Sequence, residues 1–449
     1  MDGGHFLDES GARVPLGAMP DDTAVWAGQD HINQLIADGV GEVLTWDNHP
    51  TSWRHTDWGD GDDWKRRKSD VRVIRSAMPP DSEALHGLIR WRKWLWRYGT
   101  TPKGSIGGSS MGLLRATLAK PLWLNSPRPG SEVPWLEFLL GGRQINGQHP
   151  GRFVGDVRQY DLPAAYATIM GSLPYGGGWL QMPAGDAYAD ILDRYDGVRP
   201  AFAYCTVTIP KRLRWGPLPV RPEPGSREMA WFQLTEYPTG CTMRGTWTLA
   251  ELREAQLVGC DIQLERVWVQ VEDSSPPFAR WYAAVQDGRR MRGFAGTLAK
   301  MTGNSLWGQF VISPVSKKKL VRKSNGGRES LRLKHHSSPR ALDLAEHLTG
   351  SVRAQLFRLA IEAGENLICA HTDGAWVQYE PGMDFDGWRV KNRTREFRYL
   401  DAQRYSYRHR QRWEHSVSGF PREKARAEFE YWWTYHGGGV NGRSDRFRR

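Results

Sequence analysis

Asn366–Gln378 reads NLICAHTDGAWVQ, two short apolar runs on either side of a polar tip. Leu367-Ile368-Cys369-Ala370 and Ala375-Trp376-Val377 are strand-like, and Thr372-Asp373-Gly374 between them carries turn chemistry, so the stretch predicts a tight β-hairpin. A hairpin tip presents a side chain rigidly, and here that side chain is the Asp373 carboxylate. Asp-Gly is also a common hairpin connection in its own right, and on this stretch alone Asp373 reads as an ordinary turn residue.

Two further stretches change that reading. Upstream, an extended run from Phe153 to Tyr160 leads into Asp161, Pro163 sits where the first turn of a helix begins, and Ala164–Met170 suits that helix. Asp161 is thereby placed at a strand end, within reach of a metal; Asp156, five residues earlier, is the competing carboxylate. Between Asp161 and Asp373, Phe278–Gln286 and Arg289–Gln309 are helical patterns joined at Asp287-Gly288, an antiparallel helical pair. On the second helix Arg292, Gly296, Lys300 and Asn304 fall four apart, with Trp307 three beyond. A basic stripe with a glycine gap is shaped to receive a triphosphate. Without the Asn-Ser-x-x-Gly ending, a solvated charged face would be the default.

In this order the three stretches resemble the polymerase motifs of the family B DNA polymerases: Asp-x-x-Ser-Leu-Tyr-Pro, then Lys-x3-Asn-Ser-x-Tyr-Gly, then Asp-Thr-Asp-Ser. Asp161 and Tyr166 keep the first at the family's spacing. Lys300, Asn304, Ser305 and Gly308 keep the second, with Trp307 where the family usually has Tyr, and Thr372 and Asp373 keep the third. His371 stands where family members usually have Asp, which lowers the local negative charge. Leu139-Leu140-Gly141-Gly142-Arg143 resembles the family's Tyr-x-Gly-Gly element, with Leu139 for the Tyr. Gln403-Arg404-Tyr405 resembles its Lys-x-Tyr element, with Gln403 for the Lys, and Leu173-Pro174-Tyr175-Gly176 resembles a segment of the protein-primed polymerases of small phages.

The resemblance implies an α+β fold, a right-hand polymerase with a palm of antiparallel sheet and helices, helical-hairpin fingers and a reduced thumb. It implies that Asp161 and Asp373, with the Leu162 backbone carbonyl, hold two Mg2+ (or Mn2+) ions for phosphoryl transfer. Tyr166, Arg292, Lys300, Asn304 and Trp307 would then bind the incoming nucleotide, Tyr166 excluding a 2′-hydroxyl. Gly141, Gly142, Arg404 and Tyr405 would touch DNA. The implied activity is DNA-directed DNA polymerisation on a 3′ or protein-linked hydroxyl. Its partners are template and primer DNA, deoxynucleoside triphosphates and a terminal or priming protein. Two other readings stay open: an inert polymerase-like DNA-binding factor, and a template-independent or priming nucleotidyltransferase. The expected division is an exonuclease-like N-terminal region (1–110), palm (111–215), insertion (216–275), fingers (276–310), palm (311–388), and thumb with basic tail (389–449). No convincing Asp-x-Glu is found near the start, so no proofreading exonuclease is expected.

Composition agrees with a nucleic-acid partner. The 449 residues carry a formal net charge of +11 with 61 Lys plus Arg, which suits a polyanionic partner; a merely solubilising surface is the bland alternative. Of the 22 Trp, those in Trp91-Arg92-Lys93-Trp94-Leu95-Trp96-Arg97 interleave with cations as base-stacking surfaces do, but most are expected in the core. Cys205, Cys241, Cys260 and Cys369 are scattered without zinc or disulfide spacing. With no signal-like leader and no long apolar run, the chain is expected in the cytoplasm of a bacterial or phage-infected cell, with no membrane partner.

Elsewhere, residues 1–70 read as loop-rich, Asp81–Tyr98 as an amphipathic helix ended by Gly99, and Gly104–Met111 as a flexible boundary before a short helix at Gly112–Lys120. Ala201–Ile209 and Asp261–Val271 read as strands, and Thr248 with Glu251 as a capping box. Lys317–Arg332 reads as a basic hairpin, Leu344–Ala363 as a helix, and the far C-terminus as a disordered basic end.

Overall fold

The computed structural model describes strands His5–Leu7 (β1), Arg13–Pro15 (β2), Ala24–Trp26 (β3), Glu42–Thr45 (β4) and Arg72–Arg75 (β5). It further describes residues 82–103, 106–119, 142–176, 179–182, 190–220, 237–271, 276–311, 341–418 and 422–436. Gly141, the Lys317 hairpin and residues 437–449 lie outside the described residues. The fold is α+β, and the chain divides into two compact units.

One unit holds residues 1–126, 170–173 and 275–341. Where a loop-rich start is expected, β1 and β2 form an antiparallel pair and β3, β4 and β5 a parallel sheet. Helix α1 (Ser82–Arg97) ends as expected at Gly99, whose φ of +79° suits a residue without a Cβ. Trp91 and Trp94 are buried, their indole N–H groups donating to Thr302 Oγ1 at 3.1 Å and to the Ala284 carbonyl at 3.2 Å. They are core residues; only Trp96 of that cluster is exposed, under the Arg92 guanidinium.

Of the expected boundary at Gly104–Met111, residues 106–111 instead start helix α2 (Ile106–Thr117), with Ser109 and Ser110 fully buried, while residues 104 and 105 lie outside the described residues. A Cβ on Gly107 would fall 2.2 Å from Gln309 Nε2, and one on Gly112 2.8 Å from Thr100 Oγ1. The small residues serve close packing, not flexibility.

The second unit holds residues 127–169, 174–274 and 342–449. Its main sheet is built from seven antiparallel strands: β6 (Gln144–Asn146), β7 (Gly151–Asp161), β12 (Leu367–His371), β13 (Gly374–Gln378), β14 (Arg389–Asp401), β15 (Arg404–His409) and β16 (Arg412–Val417). Across the sheet they run in the order β16-β15-β14-β7-β13-β12-β6. Helix α3 (Ala165–Ser172) follows β7.

A second antiparallel sheet is built from Trp179–Gln181 (β8), Ala201–Thr208 (β9), Thr242–Thr248 (β10) and Asp261–Gln270 (β11), in the order β10-β9-β11-β8. Between β10 and β11 runs α4 (Leu249–Leu257), opened by the expected capping box: Thr248 Oγ1 accepts from the Glu251 N–H, and the Glu251 carboxylate accepts from the Thr248 N–H.

The expected helical pair belongs to the first unit. It is present as α5 (Ala279–Arg289) and α6 (Phe294–Val311), but its turn lies at residues 290–293, with Gly293 at φ +66°. Asp287 and Gly288 are still helical. Gly288 is there because a Cβ would press within 2.7 Å of the Trp94 ring and 2.8 Å of Ala299 Cβ.

Helix α7 (Leu342–Ala363) covers one face of the seven-stranded sheet, packing Leu356, Leu359 and Ala360 against Tyr160, Ala370 and Val377. The other face is aromatic, with Trp376, Phe397, Tyr399, Tyr405 and Tyr407 clustered over Val157 and Cys369. Helix α8 (Arg422–His436) packs Phe429 and Ala425 on Leu400 and Val417. A fully buried ion network ties α7 to α4: Arg353 Nε donates to Glu251 Oε1 at 2.7 Å and its Nη2 pairs with Glu346. The four cysteines are free thiols. Among the described residues no helix is long and apolar enough to cross a membrane.

Candidate active site

The register of three neighbouring strands brings the sequence-predicted carboxylates together. β13 pairs with β7 so that Gly374 lies opposite Asp161, and β12 pairs with β13 so that His371 lies opposite Gly374. Only Thr372 and Asp373 remain for the turn. Thr372 takes a φ of +57°, a region β-branched residues rarely enter, and such strain costs roughly 1–3 kcal/mol unless its surroundings enforce it. The surroundings do: the Thr372 N–H donates to the Arg143 carbonyl at 2.8 Å, and a Cβ on Gly142 would lie 3.3 Å from the Thr372 side chain. On the far side the Leu162 N–H donates to the Asp373 carbonyl at 2.9 Å. Asp161 at the end of β7 and Asp373 in the turn therefore share one end of adjacent strands.

Arg143 anchors this corner from inside the core. Its guanidinium donates to the carbonyls of Gly216 and Pro217 and lies over the rings of Tyr237 and Phe357. Burial pulls its pKa down to about 10, which leaves it charged at neutral pH.

Ala164, not Pro163, carries the sharp change of direction between β7 and α3, with φ +52°, and the helix starts one residue later than expected, at Ala165. Tyr166 on its first turn packs against the cluster of Leu162, Ala165 and Val352, as does Trp388. Burial, then the nearby Asp373 charge, push its phenol up to about 12, so it stays protonated. His371 is biased toward the neutral form by burial, partly opposed by Asp401, and its Nδ1 lies 3.2 Å from Thr372 Oγ1.

The third charged group at the site is a cation. Lys391 of β14 places Nζ 2.9 Å from Asp161 Oδ1. Burial works against its charge, but the Asp161 hydrogen bond and the Coulombic pull of Asp161 and Asp373 prevail and raise its pKa. By sequence Lys391 falls only in a generally basic run, and no local signal separates it from its neighbours.

Of the expected DNA contacts, Tyr405 packs edge-on against Trp376 at 5.8 Å in the aromatic face. Arg404 is committed elsewhere, with Nε donating to Asp401 at 2.8 Å and its guanidinium over the Trp432 ring. Arg393, Arg395, Arg408 and Arg410 line a groove with Asp156 and Glu396. Asp156, the competing carboxylate, is paired with Arg158 at 2.6 Å.

In the other unit, Lys300 and Asn304 are exposed on one stripe of α6 and Trp307 is half-buried. Arg292 does not belong to that stripe: it lies in the turn before α6, where its carbonyl accepts from Arg90 Nη2 at 2.8 Å.

The carboxylate pair fits a hard divalent cation. Its donors are oxygens, and an ammonium already rests on one of them, so the corner attracts positive charge. Among the described residues no cluster of three or more His, Cys, Asp or Glu gathers.

The fold is polymerase-like. Solved structures of similar fold are those of Phi29 DNA polymerase: an orthorhombic crystal form (TM-score 0.55, 16% identity) and complexes with primer-template DNA (0.52, 14%) and with primer-template DNA plus incoming nucleotides (0.55, 16%). Each match covers 77% of this chain and 64% of the other, so the chain spans about two thirds of those polymerases' length. No protein-family model and no curated relative matches the sequence.

Proposed function

We propose that the protein is a DNA-directed DNA polymerase that adds deoxynucleotides to a 3′ or protein-linked hydroxyl without proofreading. The observation that carries this reading is the register that sets Asp161 and Asp373 at one end of adjacent strands, within a polymerase-like fold. A divalent cation held there, magnesium or manganese, supplies charge neutralisation for phosphoryl transfer. Asp161, Asp373 and the Leu162 carbonyl would hold it. Tyr166 closes the floor beside Asp373 as a neutral phenol and shapes the sugar position. Lys300, Asn304, Arg292 and Trp307 are assigned to the triphosphate and the incoming base. Gly142, Tyr405 and the arginine groove are assigned to template and primer. A terminal or priming protein is the further partner.

Primer extension on a defined template with magnesium or manganese tests the reading. Asp161→Asn and Asp373→Asn are each expected to abolish addition while DNA affinity stays within about twofold, since neither removes basic surface. Extension by either variant at a near-normal rate overturns it. A second reading, an inert DNA-binding relative, is favoured by one observation, the ammonium already on Asp161. It predicts DNA binding with no extension by the unaltered chain.

A further inference from the structure

Lys391 does not reach Asp161 by chance of a flexible surface chain. β14 pairs Val390 with Tyr160 and Asn392 with Gln159, so Lys391 is the one extra residue of a β-bulge against β7. A bulge re-aims a side chain, and this one is fixed from both directions. Asn392 Nδ2 donates to Gln159 Oε1 at 2.6 Å, and on the other side Val390 keeps its place opposite Tyr160. The result is an ammonium 2.9 Å from Asp161 Oδ1 that also feels Asp373 and Tyr405.

An exposed ion pair is the alternative, and such pairs contribute little. Three features set this pair apart. The lysine side chain is itself 49% exposed, but its partner carboxylate is only 28% exposed. The lysine is presented by a backbone irregularity, and its partner is one of the two carboxylates assigned to metal.

The charge balance follows. The two carboxylates and the ammonium sum to a single negative charge, which one divalent ion more than offsets. A second ion would meet net repulsion from the first and from the ammonium.

We infer that Lys391 is a resident counter-cation of the carboxylate pair, so that the nucleotide-free chain binds one divalent ion there, with the lysine ammonium in place of a second. The inference rests on the metal-dependent reading of Asp161 and Asp373 given above. It assigns Lys391 as a positioning and charge-balancing residue that sets how many ions the site takes before nucleotide arrives.

Mn2+ binding to the full-length chain, without DNA or nucleotide, tests this by calorimetry and by the electron paramagnetic resonance of free Mn2+. Sites are counted as those lost in the Asp161→Asn, Asp373→Asn double variant. The unaltered chain is expected to bind one such Mn2+. Lys391→Met is expected to bind a second, or to bind the first about tenfold or more tightly, because a like charge beside the ion is removed. Lys391→Arg is expected to match the unaltered chain. Lys391→Gln, compared by circular dichroism and thermal melting, controls for lost packing and is expected to follow Lys391→Met. Two carboxylate-dependent ions in the unaltered chain, or no change in Lys391→Met and Lys391→Gln, overturns the inference and leaves the metal reading intact. If no Mn2+ depends on Asp161 and Asp373, the metal reading itself fails, and the inference with it.

Discussion

Gly350 of α7 lies so close to Thr248 that a Cβ there would come within 2.5 Å of Thr248 Cγ2 and 2.8 Å of Glu251 Oε2. The glycine lets α7 settle onto the capped start of α4, and Arg353, one turn further along α7, completes the junction through Glu251 and Glu346. That network underlies the core beside Tyr166, whose phenol feels both Arg353 and Glu346.

Arg353→Met is therefore expected to destabilise the fold by about 3–5 kcal/mol, since it leaves two buried carboxylates without their shared cation. Denaturant unfolding measures it. A change below about 1 kcal/mol would show that the carboxylates find other partners. The triple change Arg353→Met, Glu251→Gln, Glu346→Gln is expected to recover part of the loss.

Tyr166→Val is expected to raise ribonucleotide incorporation relative to deoxyribonucleotide by about tenfold or more, by opening space beside the sugar. The ratio of single-nucleotide extension rates measures it. The ring is packed against the cluster of Leu162, Ala165 and Val352, so some loss of stability accompanies the change. An unchanged ratio would make Tyr166 a packing residue alone.

His347 of α7 is buried, and desolvation pulls its pKa down to about 4, with a carbonyl and Asp196 opposing. The unfolded chain takes up this proton near pH 6.5, while the folded chain resists until about pH 4. Stability is thus full above the unfolded value and falls as the pH drops below it, by about 2 kcal/mol between pH 7 and pH 5. Unfolding midpoints across that window are expected to slope in the parent and to flatten in His347→Gln. Equal slopes would exclude His347 as the cause.

DNA affinity is expected to fall steeply with salt through counterion release. Changing Arg393, Arg395 and Arg410 together to Gln is expected to reduce the log-log salt slope by about 2–3, close to one counterion for each phosphate that these side chains cease to neutralise. An unaltered slope would place the DNA elsewhere.

The parts of the site legible in sequence are those fixed by local chemistry. The hairpin around Asp373, the strand running into Asp161, and the Thr248 cap with Glu251 each depend on residues within a few positions. What escaped was decided by distant packing. Glycines at 107 and 288 read as breaks, yet each makes room for a side chain from another helix. Arg292 fell out of its stripe because the chain turns at Gly293, not at Gly288. The parallel strands near the N-terminus are three or four residues long, too short for a clear alternation. Lys391 is defined by the pairing of β14 with β7, which no window of sequence contains.

The two-residue turn at Thr372 and Asp373 also sets a limit on how this region can vary in length. β13 is held on one edge by β12 and on the other by β7. Adding or deleting one residue in the turn either re-forms it, breaking the bonds of Thr372 to Arg143 and of Asp373 to Leu162, or slides β13, which would send Trp376 and Val377 each to the opposite face of the sheet. Length change has an outlet beyond Gln378, where residues 379–388 cross to β14 outside any strand, with Gly382 and Gly387 at positive φ. Libraries of insertions are therefore expected to leave residues 371–374 untouched and to accumulate in 379–388, with the carboxylate corner keeping its spacing throughout.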